Sequence, residues 1–142
     1  MSEIEIMIRL LAACIAGGVI GYLRERGGKA AGLRTHILVC LGSALFTIVS
    51  IYMAMIFDNV DASRIASTVV SGIGFLGAGV IIQEGGAVRG ITTAASIWAV
   101  AAIGVAVGCG MYFTTAFTTI LTFIVLQLLA IVEKKYISPG KG

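Results

Sequence analysis

Two short segments of this 142-residue chain gather eight of its eighteen charged or histidine side chains, the groups able to bind ions or hold protons. The first contains Arg24 and Glu25, then Gly27-Gly28-Lys29-Ala30-Ala31-Gly32-Leu33-Arg34-Thr35 and His36. The second contains Glu84, then Gly85-Gly86-Ala87-Val88-Arg89-Gly90-Ile91-Thr92-Thr93. Both carry the phrase Gly-Gly-x-x-x-Gly-Leu/Ile-x-Thr at the same spacing, each ahead of a long uncharged stretch. The chemistry this suggests is capture at a helix start. Thr35 and Thr93 can cap their helices by accepting hydrogen bonds from free amides, and an open helix start carries partial positive charge that draws carboxylates or anions. Glu25 and Glu84 are the internal partners, expected to pair with Arg34 or Arg89 across the loops. A specific site and a mere topology signal with ordinary caps fit this pattern equally well.

Catalytic chemistry finds little to work with. The lone histidine, His36, has no Ser or Cys nucleophile near it in sequence, and neither paired carboxylates nor a metal motif is evident. Cys14, Cys40 and Cys109 are odd in number, lack metal-ligand spacing and fall within or beside apolar segments, as small buried thiols do. No catalytic residue, metal site or enzyme activity is therefore expected.

The elements that must position these residues are membrane helices. With 58% hydrophobic and 12% charged residues, one proline and a strongly positive mean hydropathy, the chain does not suit a soluble domain. The start carries Glu3 and Glu5 and no basic residue, and no small-residue cleavage site follows, so the first helix is expected to stay. A span needs about 20 apolar residues. That divides the chain into one domain over 1–142 with five helices, at about 4–23, 36–57, 65–82, 91–107 and 111–132. The last two come from an uncharged run too long for one span, broken at Gly108-Cys109-Gly110; a single long tilted helix is the alternative.

Basic residues stay on the cytoplasmic side. Arg24, Arg26, Lys29 and Arg34, then Arg89, then Lys134, Lys135 and Lys141 all fall on one face, which places the amino terminus outside and the carboxy terminus in the cytoplasm. Both glycine phrases then face the cytoplasm. Helices 1-2 and 3-4 become two hairpins of a parallel repeat, with helix five peripheral, although chance similarity of glycine-rich sequence is the competing explanation. The net charge of +3 reflects this topology, and no nucleic-acid partner is expected.

Small residues predict the packing. Ser71, Gly72, Gly74, Gly77 and Gly79 make helix three the expected centre, packed against Gly17 and Gly21 of helix one and the alanines of helix four. Trp98 lies too deep for an interfacial belt and is expected inside the bundle. Arg9 is expected to snorkel with Glu5 near the outer end. These glycines serve helix packing in the simpler reading and a tight permeation path in the other.

Several runs together resemble one family: Ala31-Gly32-Leu33-Arg34-Thr35-His36-Ile37-Leu38-Val39, Leu41-Gly42-Ser43-Ala44-Leu45-Phe46, Val70 to Gly79, Gly90 to Trp98, and Ala101-Ala102-Ile103-Gly104. Their types and order are similar to the MgtC/SapB-like membrane domain over about residues 15–112. That family usually reads Gly-x-Glu-Arg-Glu at the end of helix one, whereas this chain has Gly21-Tyr22-Leu23-Arg24-Glu25, with leucine at the first acidic position. Better-known members append a soluble cytoplasmic domain beyond the point where this chain ends.

The resemblance implies a bacterial inner-membrane protein tied to adaptation to low magnesium and, in pathogens, to survival inside host cells. It implies regulation through membrane partners such as the proton-translocating ATP synthase, although family members are often labelled magnesium transporters. On the residues, no Asp or Glu lies between His36 and Phe57 or between Ile65 and Ile82, where a magnesium path would need oxygen ligands. Unwound glycine-rich backbone in helix three could still offer carbonyls. The leading expectation is a non-enzymatic, homo-oligomeric regulator in the lipid bilayer; the alternative is a small channel or carrier for Mg²⁺ or another ion.

Overall fold

The computed structural model describes residues 1–84 and 87–132, of Glu84 the backbone only. Its elements are α1 (Glu3–Arg26), α2 (Leu33–Ile56), α3 (Ser63–Gly79), β1 (Ile82–Glu84), β2 (Ala87–Arg89), α4 (Ile91–Gly108) and α5 (Tyr112–Ile124). The last continues through a π-helical turn, Val125–Leu129, into α6 (Ala130–Val132). Four segments, α1, α2, α4 and Tyr112–Val132, are long and apolar enough to cross a membrane. The chain is an all-α membrane protein. The basic tail from Lys134 onward lies outside the described residues.

Local chemistry accounts for the helix ends. Ser2 caps α1 by accepting from Glu5 N at 3.2 Å, and acidic residues in the first turn with Arg24 and Arg26 in the last complement the helix dipole. Gly110, at φ 80°, turns the chain between α4 and α5 where Met111 N donates back to Ala106 O at 3.0 Å. The third helix departs from the expected 65–82. It starts at Ser63 and stops at Gly79, because Ile82–Glu84 and Ala87–Arg89 pair as antiparallel strands with Ile82 opposite Arg89. At 17 residues it is about 26 Å long, short of the hydrocarbon thickness.

The centre of the bundle is α2, not α3. A Cβ on Gly17 would stand 2.6 Å from the His36 carbonyl oxygen, and one on Gly21 would stand 2.8 Å from Leu33 Cα. On the other flank, Gly104 abuts the Cys40 carbonyl, and a Cβ on Gly108 would lie 2.7 Å from Thr47 Cβ. Glycine therefore lets α1 and α4 press their backbones against α2, and Ala13, Ile20, Cys40, Ala44, Val100 and Ile103 fill the space between. By contrast α3 buries only Val69, Ile73 and Gly77, one narrow i, i+4, i+8 stripe packed beside Ile97 and Ala101. Ser71 is exposed, and added Cβ atoms on Gly72, Gly74 or Gly79 would meet nothing within 4 Å. Small side chains offer little area to bury, so α3 sits at the side.

Two further expectations change. Trp98 is 54% exposed, since it shares the outer stripe of α4 with Ile91, Ala95 and Ala102 while Ile97, Val100 and Ile103 turn inward. Arg9 pairs with Glu5 as expected but does not snorkel: it is 9% exposed, and Nη1 donates to Gly108 O at 2.6 Å. A cation on the last carbonyls of α4 is favoured by the helix dipole. Helix α5 is peripheral, as expected. It buries Thr115 and Thr119 alone, whose hydroxyls donate to carbonyls one turn back at 2.9 and 2.7 Å.

Candidate functional site

The candidate residues converge where α1 ends and α2 and α4 begin. Gly32 and Gly90 stand at matching positions, each immediately before its helix, so the repeat holds at the helix starts. Between them the loops differ, a turn with Gly28 at φ 62° in one and the paired strands β1 and β2 in the other. Gly90 is left-handed at φ 90°, and a Cβ there would collide with the Val80 carbonyl, so glycine is required twice over.

Thr35 and Thr93 do not cap. Neither helix has a side-chain cap from its own preceding residue, and both threonines lie a turn inside. The start of α2 is served from α1: Glu25 Oε2 accepts from Leu33 N at 2.6 Å. Gly32 has no side chain because that carboxylate occupies the space a Cβ would take. Glu25 therefore meets the positive helix end, not Arg34. Among the described residues the one ion pair is Arg9 with Glu5; Arg34, Thr35 and Arg89 face outward, and Thr92 is exposed at the edge of a cavity. The side chain of Glu84 lies outside the described residues.

Arg24, next to Glu25, turns to the other helix. It is 5% exposed, and Nη2 donates to Thr93 Oγ1 at 2.6 Å. Thr93 O in turn faces Ser96 Oγ at 2.8 Å, and Ser96 Oγ lies 3.1 Å from Nε2 of the fully buried His36. His36 Nδ1 sits 2.8 Å from the Gly32 carbonyl, which only accepts, so Nδ1 carries the proton and Nε2 faces the serine hydroxyl. This chain of contacts ties the start of α2 to the start of α4 and to the end of α1. Three predicted residues, Arg24, Thr93 and His36, are thus in one network, and Ser96, three positions after Thr93, completes it.

Beside the network, at the start of α4, is a cavity of about 420 Å³ bordered by Arg24, Lys29, Gly90, Thr93, Leu126 and Ala130. Its far wall comes from the π-helical region, a feature frequent at functional sites. Sequence reasoning missed Lys29, Leu126 and Ala130 here, since nothing local marks a π turn or its neighbours. No three His, Cys, Asp or Glu side chains converge as a metal set among the described residues.

The MgtC family model matches residues 10–135. Over 129 residues the chain is 47% identical to the Escherichia coli K12 protein named "Putative magnesium transporter YhiD", covering 87% of this chain and 60% of that protein. It is 43% identical over 123 residues to "Protein MgtC" of Brucella abortus, covering 83% of this chain and 50% of the relative. "Protein SrpB" of Synechococcus elongatus is 43% identical over 130 residues, covering 84% and 71%. The chain thus spans 50 to 60% of the length of YhiD and MgtC. No solved structure matches it significantly. With the glycine phrases, the helix order and these matches in agreement, the chain belongs to the MgtC family.

Proposed function

We propose that this chain is a non-enzymatic regulator in the bacterial inner membrane that acts by contact with membrane partners during adaptation to low magnesium. The proton-translocating ATP synthase is one such partner. The observation that carries this reading is the contrast between two sets of glycines. Gly17, Gly21, Gly104 and Gly108 close the interior of α1, α2 and α4 backbone to backbone, whereas Gly72, Gly74 and Gly79 of α3 have open space before them. A closed interior suits a protein that signals by its surface. Helix α3 has two open small-residue faces, one with Gly72, Gly79 and exposed Thr68 and one with Gly74 and exposed Ser67, and either suits docking of another helix, from a second copy or a partner. The amino terminus is taken as outside and the carboxy terminus as cytoplasmic, from the basic residues of the first loop.

The second reading is ion transport, which the name of the E. coli relative favours. Protein reconstituted in liposomes separates the two. The regulator reading expects no Mg²⁺ flux above empty liposomes, together with cysteine cross-links between α3 helices or between α3 and a partner in native membranes. Saturable Mg²⁺ flux, or α3 cysteines that cross-link to nothing, overturns it.

A further inference from the structure

We propose that the cavity at the start of α4 binds the phosphate of an anionic phosphoester. The two repeated helix starts are served unequally. The first α2 amide has Glu25, but the first helical bond of α4 runs from Ala94 N to Gly90 O at 2.9 Å, which leaves the amides of Ile91, Thr92 and Thr93 ahead of it without helical acceptors. Gly90 supplies no side chain to cap them.

Independent of that helix start, Arg24 is a buried cation with no anionic partner among the described residues. Only 5% exposed, it makes one hydrogen bond, to the neutral Thr93 hydroxyl, and its Nε has no acceptor among the described residues. A buried guanidinium without a counter-charge is costly, and beside the positive end of a helix the two repel. Arg9 at the opposite end of α4 has the Gly108 carbonyl and Glu5, although its Nε too lacks an acceptor, so among the described residues Arg24 is the buried cation without a counter-charge. Lys29 borders the same cavity from the loop, adding a second full charge.

A phosphate supplies what is missing. Its oxygens accept from guanidinium, ammonium and first-turn amides together, the donor set found here. Leu126, Ala130 and Ile91 give the cavity an apolar wall, which suits a phosphate attached to an organic group. That group is either the headgroup of an anionic lipid, since the cavity lies at the end of the bundle, or a soluble phosphoester. The proposal goes beyond the regulator reading and does not depend on it.

The test uses the full chain, purified in detergent, with its melting midpoint followed against inorganic phosphate and against chloride at matched ionic strength. A parallel arm compares phosphatidylcholine nanodiscs with and without phosphatidylglycerol. The expected result is a midpoint raised by phosphate or by phosphatidylglycerol beyond the chloride control. Lys29→Gln should weaken the half-saturating concentration about tenfold, the scale of one charge-assisted hydrogen bond, and Arg24→Gln should abolish the response. Should Arg24→Gln not fold, Arg24→Lys, which keeps the charge and loses the fork, should weaken binding in its place. A response to the lipid alone assigns a headgroup, and one to phosphate alone assigns a soluble ligand. No response beyond chloride in either arm, or one unchanged by Lys29→Gln, overturns the proposal. So does a wild type silent to both probes that gains a phosphate response in Glu84→Gln or Glu133→Gln, which would give Arg24 an internal carboxylate.

Discussion

Arg24 Nη2 lies 2.6 Å from Thr93 Oγ1 across 69 positions of sequence, joining the last turn of α1 to the first turn of α4. Both residues are only 5% exposed, so little water is at hand to replace the bond. Thr93→Val keeps the shape and removes the acceptor, leaving a second guanidinium nitrogen unsatisfied. We expect a loss of about 1 to 3 kcal/mol, read as a lower midpoint in thermal or denaturant unfolding in detergent. An unchanged midpoint would mean that Arg24 finds another acceptor.

The glycines make opposite predictions on the two sides of the bundle. Gly17→Ala places a Cβ 2.6 Å from a backbone oxygen and should cost about 1 to 3 kcal/mol or prevent folding. Gly72→Ala meets open space and should leave the isolated chain as stable or up to about 1 kcal/mol more so, from helix propensity. Gly72→Leu should retain the midpoint while reducing cross-linking at α3. Equal destabilisation by Gly17→Ala and Gly72→Ala would contradict the central place of α2.

Glu25→Gln keeps an acceptor at the start of α2 but removes its charge. A stability loss of about 1 kcal/mol is expected, smaller at high salt because Glu25 is exposed. Gly32→Ala should cost more, since its Cβ displaces the carboxylate altogether. If Glu25→Gln and wild type unfold alike at low salt, the cap contributes nothing.

In the loop before α3, Asp61 accepts from the Ser63 side chain at 2.7 Å and backbone N at 2.8 Å, bonds that hold its carboxyl below the usual range, aided by Arg64. A lowered folded-state value stabilises fully above the unfolded value of about 3.9. That contribution fades as pH falls through the lower folded value. Asp61→Asn should therefore narrow its stability gap to wild type as the pH drops from neutral to about 3, a trend that unfolding across a pH series would show.

The number of helices, the family and the register of the two glycine phrases were legible because each rests on a long-range pattern of charge or a spacing repeated in the chain, although only four of the five expected spans are long enough to cross a membrane. Gly17 and Gly21 stand against the α2 backbone, the close approach that a small-x-x-x-small stripe allows. The stripe on α3 reports the same capacity with no partner inside this chain, so composition alone misplaced the centre. Trp98 misled because depth along a helix says nothing of which face it occupies. Arg24, His36 and Thr93 were recognisable as candidates, but their joining was not, since buried polar networks depend on the crossing of three helices. Glu25, expected to pair with Arg34 or Arg89, meets the Leu33 backbone amide at the start of α2 instead.

The most direct test of the regulator account is Mg²⁺ uptake by sealed liposomes containing the purified chain, with an entrapped fluorescent indicator and empty liposomes in parallel. The account predicts uptake equal to the empty liposomes at every Mg²⁺ concentration, because glycine contacts seal α1, α2 and α4 against one another. Uptake that rises with protein content and saturates with Mg²⁺ would contradict it.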